Sequence, residues 1–329
     1  MKTLIVGLGS IGRRHLKNLL TLGERDIILY RTLKSTLPDD EFADFPAYGD
    51  LEQAFDQNPN AVIISNPTAF HMPAAELAAE RNVHIFLEKP VSHTIDSVRR
   101  FEELMESSKS RVLVAYQFRF NSGLRMLREM IEMKQLGSAL CFHSEWGEYL
   151  PDWHPWEDYR KSYAASADMG GGVVLTLSHP IDYLCWIFGE IAELYAVTGN
   201  ASALEMDVED FTDVNFKFRS GVTGTMHLDY FRRPKKHDLM VVCENGTIHW
   251  GYKNSTVRIE SASGDIEEIG PPGTYDRNQM YLNEMSHFLD ICEGDNVPLC
   301  TYQDGKKALI IAHGIQMSGR HQERVIFED

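Results

Sequence analysis

The chain has 329 residues, of which 43% are hydrophobic and 24% charged, so it can form two globular domains and is not a collagen-like, disordered or disulfide-scaffold protein. Lysine and arginine number 32 against 48 aspartate and glutamate residues, and the formal net charge of −16 disfavours nucleic acid and anionic membranes as partners. Five cysteines without a C-x-x-C pair, and the lack of any run of about 18 apolar residues, favour a cytoplasmic protein with reduced thiols and no metal site.

Short β-branched runs alternate with helical patterns over the first 115 residues, which is typical of β-α-β units in a parallel sheet. Predicted strands are Thr3–Val6, Asp26–Tyr30, Ala61–Ser65, His84–Leu87 and Val112–Ala115. Predicted helices are Ile11–Leu22, Leu51–Gln57, His71–Arg81 and Ile95–Ser108. We therefore predict a doubly wound α/β domain over residues 1–119.

The pattern changes after Phe120. A predicted helix, Gly123–Lys134, is followed by a strand-like stretch at Ser138–Tyr149. Two hairpins are then predicted, with turns at Ser220-Gly221 and Asn245-Gly246. Helical patterns return at Gln279–Cys292 and Tyr302–Ser318. Residues 120–329 are thus predicted to form an α+β domain with a mostly antiparallel sheet.

A glycine-rich motif, Gly7-Leu8-Gly9-Ser10-Ile11-Gly12, directly follows the first predicted strand and opens the first predicted helix. In this G-x-G-x-x-G spacing the first glycine allows a tight turn, the second lets the backbone approach a pyrophosphate, and the third lets the helix pack on the strand. The helix N-terminus at Ser10 and Ile11 would face the anion. The motif predicts a dinucleotide site and therefore a dinucleotide-binding Rossmann domain over residues 1–119. The alternative is a glycine-rich turn without a ligand.

No carboxylate stands at the end of the second predicted strand, where an NAD site places the group that binds the ribose 2′-hydroxyl. The segment instead carries Arg31 and Lys34, whose charges suit a 2′-phosphate. NADP is therefore the preferred cofactor and NAD the alternative. Arg31 could also point to solvent, with the true partner elsewhere.

Two further segments follow the third and fourth predicted strands, at the carboxyl edge where open α/β sheets bind ligands. The candidate cofactor contacts there are Asn66, Pro67, Thr68, His71 and Glu88. Glu88-Lys89-Pro90 also supplies a lysine, which beside a cationic nicotinamide would exchange protons near neutral pH. Lys89 is thus a candidate acid/base, and the alternative is a surface charge.

Gly170-Gly171-Gly172 precedes an apolar helical stretch that carries His179 and Asp182 on one helix face. The two could form a base with its orienting carboxylate, a substrate-binding carboxylate, or a buried histidine satisfied by a neighbour. Upstream, Trp153 and Arg160 lie in an aromatic and polar loop. This loop could stack on a sugar and clamp its hydroxyls, or form a lid packed on its own domain.

Taken together, the chain resembles the glucose-fructose oxidoreductase, inositol dehydrogenase and rhizopine-catabolism (Gfo/Idh/MocA) family nearly end to end. The resemblance rests on Gly7-x-Gly9-x-x-Gly12, Pro67-Thr68-x-x-His71, Glu88-Lys89-Pro90, Arg119-Phe120, and Gly170-Gly171-Gly172 followed by His179-x-x-Asp182. It implies that residues 120–329 bind substrate and form a large open sheet through which the chain assembles into a homodimer or homotetramer. It also implies that Lys89 and His179 take the catalytic positions.

The chain departs from this family before the histidine. Many relatives carry an aspartate four residues upstream, whereas here that residue is Leu175, and the segment after the glycines is one residue short. A proton relay through that aspartate is unavailable. Either Lys89 shares more of the acid/base work with His179, or the chemistry differs or is lost.

The resemblance implies an NAD(P)-dependent oxidoreductase that moves hydride between nicotinamide C4 and a carbinol carbon of a sugar, sugar nucleotide or cyclitol. Expected substrate contacts beside Lys89 are Arg119, Trp153, Arg160 and Asp182. The alternatives are an imine or bile-pigment type reductase on the same scaffold and a non-catalytic NAD(P)-sensing binding protein.

Overall fold

The computed structural model describes residues 1–32, 40–271, 273–294 and 296–328. The chain divides into two compact units. Unit 1 comprises Met1–Gln117, Asp168–Gly170 and Asn278–Leu309, and unit 2 comprises Phe118–Ala167, Gly171–Arg277 and Ile310–Asp329. Each unit is therefore assembled from segments that are far apart in sequence.

The described residues form α-helices in both units. They are α1 (Ser10–Thr21), α2 (Leu51–Phe55), α3 (His71–Glu80), α4 (Arg99–Met105), α5 (Ser122–Glu132), α6 (Val173–Thr176), α7 (His179–Phe188), α8 (Asn278–Glu293) and α9 (Tyr302–His321). Asp50 begins α2 by accepting a hydrogen bond from the Gln53 backbone N–H at 2.9 Å, as N-cap residues do. No helix in the described residues is long and apolar enough to cross a membrane.

Unit 1 is built on a parallel sheet. Its strands are β1 (Thr3–Val6), β2 (Ile27–Tyr30), β3 (Ala47–Tyr48), β4 (Ala61–Ile64), β5 (His84–Leu87) and β6 (Val112–Val114). Across the described residues the sheet order is β3-β2-β1-β4-β5-β6, so the strand order reverses beside β1. Every residue of β1 and β4 is buried, which explains their continuous apolar sequences. The predicted doubly wound domain is confirmed, and β3 is a short edge strand that the sequence patterns did not indicate.

Unit 2 is built on a larger sheet. Its strands are β7 (Ala139–Gly147), β8 (Ile191–Gly199), β9 (Phe211–Phe218), β10 (Thr223–Asp229), β11 (Lys236–Cys243), β12 (Gly246–Gly251), β13 (Thr256–Ser261), β14 (Ile266–Ile269) and β15 (Val325–Ile326). In the described part of the chain the order is β14-β13-β12-β11-β7-β10-β9-β8-β15. Only the pairing of β7 with β10 is parallel among these strands, so the predicted mostly antiparallel sheet is confirmed.

The two predicted hairpins of unit 2 are present as β9–β10 and β11–β12. Side chains alternate along β9, where Val214 and Phe216 are buried and Asn215 and Lys217 are exposed. One face of β9 therefore packs on the core of unit 2, while its other face carries exposed polar side chains.

Candidate functional site

The glycine-rich loop lies between β1 and α1 in unit 1. Gly7 has a φ of +96°, and a Cβ there would lie 2.7 Å from the Asn66 backbone nitrogen, so only glycine fits. A Cβ on Gly12 would clash with the Gly7 carbonyl oxygen and lie 2.7 Å from Ser65 Oγ. A Cβ on Gly9, by contrast, would meet no atom of the described residues within 4 Å. The loop thus holds α1 close to the sheet and leaves open space at Gly9, which fits a bound pyrophosphate.

Ser65 ties the ends of β1 and β4 together beneath this loop. Its Oγ donates to the Gly7 carbonyl oxygen at 2.9 Å. Ser10 and Ile11 form the first turn of α1, where backbone N–H groups have no partner within the helix. These groups are available to an anion beside Gly9.

Arg31 directly follows β2, and its backbone N–H donates to the Tyr48 carbonyl oxygen of β3 at 2.9 Å. This pairing places Arg31 at the carboxyl edge of the sheet, and its choice between NADP and NAD stays a prediction. Lys34, the other predicted contact, lies outside the described residues.

His71 links the loops that follow β4 and β5. Its Nδ1 lies 3.0 Å from the Pro90 carbonyl oxygen and its Nε2 lies 2.9 Å from the Asn66 carbonyl oxygen. Burial lowers the pKa of His71, against the opposing effect of these hydrogen bonds. Thr68, beside Pro67 in the first loop, is also buried. The structure therefore brings the predicted residues of both loops together at one edge of unit 1.

Glu88 and Lys89 follow β5 at the same edge. The Glu88 carboxylate lies 2.7 Å from His15 Nε2 on α1 and accepts the Lys89 backbone N–H at 3.2 Å. Burial alone would raise the pKa of Glu88, but the hydrogen bond from His15 and nearby positive charges hold it below its usual value. Burial lowers the pKa of Lys89 to about 8, although the charge of Glu88 opposes this change. Lys89 can therefore gain or lose a proton near neutral pH.

In unit 2, the glycine run leads into the helices that carry the predicted histidine. Gly172 has a φ of +100°, and a Cβ there would lie 2.6 Å from Glu209 Oε1. The same oxygen accepts the Val174 backbone N–H at 3.3 Å, which fixes the start of α6. Leu175 is buried in α6, and α7 begins at His179, which is only 2% exposed.

An aromatic cluster surrounds His179 within unit 2. Its ring lies edge-on to Phe118, at a centroid distance of 4.9 Å, and stacks on Trp146 at 5.7 Å. His237 lies parallel to Trp146 at 4.2 Å, and its Nε2 lies 3.2 Å from the Tyr183 hydroxyl. Burial lowers the pKa of His237 to about 3, so this ring is neutral at physiological pH.

Arg119 and Asp182, both predicted substrate contacts, bind each other. Arg119 Nη2 lies 2.7 Å from Asp182 Oδ1, and the two residues are 4% and 2% exposed. Their role toward substrate stays a prediction.

Trp153 and Arg160 lie in the loop that follows β7. The Trp153 ring packs edge-on against Tyr230 at 5.6 Å. Arg160 pairs with Asp158 at 2.9 Å and with Glu205 at 2.7 Å, and about half of its side chain is exposed. Both acidic partners thus bind the Arg160 guanidinium at the surface of unit 2. A contact between Arg160 and substrate stays a prediction.

The sequence patterns missed several residues of these sites, among them His15, Ser65, Trp146 and His237. A local signal existed for His15, because it follows Gly12 by three residues and so shares its helix face. Trp146 and His237 belong to different strands, and only the pairing of β7 with β11 brings them together.

Two protein-family models match the sequence of this chain. A model of an oxidoreductase family with an NAD-binding Rossmann fold matches residues 1–116, and a model of the GFO/IDH/MocA C-terminal domain matches residues 124–249. Myo-inositol 2-dehydrogenase of Thermotoga maritima is 24% identical, with 100% of this chain and 99% of the relative covered. Scyllo-inositol 2-dehydrogenase (NAD(+)) of Bacillus subtilis is 25% identical, with 90% and 87% covered.

Among solved structures, the WlbA dehydrogenase from Bordetella pertussis in complex with NADH and UDP-GlcNAcA has a TM-score of 0.84 at 20% identity. The alignment covers 100% of this chain and 99% of that one. The fold of this chain is thus similar to that of a solved dehydrogenase structure over the full length of the alignment.

Proposed function

Because the chain belongs to the Gfo/Idh/MocA oxidoreductase family, we propose that it is an NAD(P)-dependent dehydrogenase that transfers hydride between nicotinamide C4 and a carbinol carbon of a sugar, sugar nucleotide or cyclitol. One observation carries this proposal: the open space at Gly9 lies at the start of α1, and α1 also contacts the loop of Lys89 through His15 and Glu88. The relatives named for inositol dehydrogenation favour a polyhydroxylated ring as substrate.

The residues of unit 1 suit the cofactor. Backbone groups at Gly9 and at the first turn of α1 bind the pyrophosphate, while Asn66, Pro67, Thr68, His71 and Glu88 contact the remainder of the cofactor. The nicotinamide, when bound, carries the hydride. Arg31 favours NADP over NAD, because a guanidinium at the end of β2 can pair with a 2′-phosphate.

Two side chains of this chain handle the proton. In the oxidation direction His179 takes the proton of the substrate hydroxyl, and Lys89 holds the oxygen and stabilises its developing negative charge. With Leu175 in place of an acidic residue on α6, Lys89 also shares the proton transfer, for which a pKa near 8 is suited. Arg119, Asp182, Trp153 and Arg160 are the proposed substrate contacts.

The exposed face of the unit 2 sheet is the proposed surface for a homodimer or homotetramer. Asn215 and Lys217 of β9 lie on this exposed face. Sedimentation of the parent and of Asn215→Arg tests the proposal, because a bulky charge at a self-association surface should give a smaller species, and equal sizes would contradict it.

The experiment that tests the function is turnover on a panel of inositols, free sugars and sugar nucleotides with NAD⁺ and NADP⁺. A positioned acid/base contributes about 10² to 10⁴ in rate, so Lys89→Ala and His179→Ala should each lose that much while cofactor affinity stays near that of the parent. The double variant should be slower still. The exposed residues Lys109 and His321 supply matched controls, and Lys109→Ala and His321→Ala should keep parent rates.

Other outcomes separate the alternatives. Turnover of imines or bile pigments but of no hydroxyl substrate would make the chain a reductase of another class. Cofactor binding with equal and negligible rates in parent and variants would favour an NAD(P)-sensing protein.

A further inference from the structure

A buried hydrogen bond joins the dinucleotide-binding helix to the loop of Lys89. His15 lies in α1, and its Nε2 is 2.7 Å from Glu88 Oε1. His15 is fully buried and Glu88 is 8% exposed. The His15 ring packs edge-on against Phe86 of β5 at 4.8 Å, and Phe86 packs against Phe288 of α8 at 5.4 Å. The imidazole is therefore fixed in orientation by packing as well as by its hydrogen bond.

The contacts of Glu88 fit an ionised carboxylate. A carboxylate only accepts, and a buried one is stable only when N–H donors surround it. Oε1 receives the imidazole of His15, and Oε2 receives the backbone N–H of Lys89. With its Nε2 protonated, His15 supplies a donor from outside the loop of Glu88.

The titratable groups that face Glu88 come from three elements. They are His15 of α1, His71 at the start of α3, and Lys89 of the same loop. Glu88 is in turn the charged group that acts on the Lys89 ammonium. The Glu88 carboxylate thus contacts both His15 and the backbone of Lys89.

We propose that His15 is a positioning residue: its hydrogen bond keeps Glu88 ionised and in one orientation beside Lys89, and so sets the pH at which Lys89 releases its proton. The inference rests on the proposed function, in which Lys89 exchanges a proton during the reaction. It assigns to the dinucleotide-binding helix a second task, because His15 follows Gly12 by one helical turn.

The direction of the effect follows from the two influences on Lys89. Burial lowers its pKa, and the negative charge of Glu88 raises it. Without His15, the buried Glu88 takes up a proton more readily, its charge beside Lys89 diminishes, and the pKa of Lys89 falls further. If His15 merely filled space, its loss would leave Lys89 unchanged. If His15 instead kept Glu88 away from Lys89, its loss would raise the pKa of Lys89.

The test measures Lys89 directly. The protein without substrate or cofactor is treated with a trace of acetic anhydride at a series of pH values, and acetylation of Lys89 is quantified by peptide mass spectrometry. We expect His15→Phe to shift the midpoint of labelling downward by about one pH unit, which is roughly a tenfold gain in the fraction of neutral amine below the midpoint. Glu88→Gln should shift the midpoint downward at least as far.

The double variant distinguishes positioning from general stability. Since His15 acts through Glu88, His15→Phe should have no further effect when Glu88 is already replaced by glutamine. His15→Gln should restore the parent midpoint, because its amide can donate to the carboxylate. Asn18→Leu is the matched control: Asn18 is equally buried on α1 but accepts a hydrogen bond from Asn278, and its loss should not move Lys89.

An unchanged or raised midpoint in His15→Phe, or additive shifts in the double variant, would overturn the inference. If His15→Phe fails to fold, His15→Gln and Glu88→Gln still decide, since the first must match the parent and the second must fall below it. Labelling needs no turnover. A chain inactive on every hydroxyl substrate would therefore refute the proposed function while the midpoints still report on His15.

Discussion

Arg119 binds both oxygens of Asp182 inside unit 2. Its Nε lies 3.1 Å from Oδ2 and its Nη2 lies 2.7 Å from Oδ1. The side chains are 5% and 2% exposed, so each charge stabilises the other where water is largely excluded. The pair anchors the first turn of α7, where His179 stands, to the segment just before α5.

Loss of one partner should therefore destabilise the protein strongly. Asp182→Asn leaves the guanidinium buried without its carboxylate, and we expect the free energy of unfolding to fall by about 3 to 5 kcal/mol. Urea unfolding measures this loss. Replacing both partners, as in Arg119→Met with Asp182→Leu, should cost less than Asp182→Asn alone. A double variant less stable than the single one would contradict the assignment of the cost to an unpaired charge.

Gly9 and Gly12 should respond differently to a side chain. Gly9→Val points into open space, so the variant should fold normally but fail to bind NAD(P). Gly12→Val clashes with the Gly7 carbonyl oxygen, so it should lower the stability of unit 1 itself. Thermal unfolding and calorimetric titration separate the two. Cofactor binding by Gly9→Val at parent affinity would refute the dinucleotide site.

Arg31 should decide the choice of cofactor. A charge-assisted contact to a 2′-phosphate contributes about 1.5 to 3 kcal/mol, so Arg31→Asp should weaken NADP binding roughly ten- to hundredfold and leave NAD binding little changed. Arg25 is exposed at the opposite end of β2, and Arg25→Asp is the control for the change in net charge. Tighter binding of NAD than of NADP by the parent would remove this prediction.

His237 should make unit 2 sensitive to acid. Its folded-state pKa is about 3, so below about pH 6.5 the unfolded chain binds a proton that the folded chain does not. The free energy of unfolding must therefore fall as the pH falls. Between about pH 7.5 and about pH 5 this residue should account for a loss of roughly 2 kcal/mol.

The check is urea unfolding at both pH values for the parent and for His237→Phe. The aromatic replacement removes the titrating group, so its loss of stability between the two pH values should be smaller. His321→Gln, at an exposed position, should behave as the parent does. Equal losses in the parent and in His237→Phe would show that His237 titrates normally.

Local patterns predicted most of the sheet in unit 1. The range His84–Leu87 is both the predicted and the observed strand, because the apolar run is short and flanked by polar residues. The prediction of one helix at Ile95–Ser108 was wrong in detail, since a 3₁₀ turn at Asp96–Val98 precedes a shorter α4. The two-residue β3 carries too little periodicity to be detected.

Long-range pairing lies beyond such patterns. Nothing in the sequence of β7 indicates that it pairs parallel to β10, about 80 residues later, because hairpin neighbours favour antiparallel contacts. The glycine loop was predictable because its chemistry resides in six consecutive residues. The contact of His15 with Glu88 joins positions separated by 73 residues, and no local spacing encodes it.

Unit 1 is built from segments that are synthesised at different times, so it cannot complete its packing when its first segment leaves the ribosome. Residues 1–117 are synthesised before α8. Phe86 therefore cannot yet pack against Phe288, and the Gln117 amide cannot yet donate its hydrogen bond to the Tyr281 hydroxyl of α8. The hydrogen bond from the Val114 backbone N–H to the Cys300 carbonyl oxygen likewise forms only after Cys300 has been synthesised. A nascent chain therefore carries an apolar, incompletely paired Rossmann sheet through translation of more than half its length. Chaperones that bind exposed apolar surface have that interval in which to act.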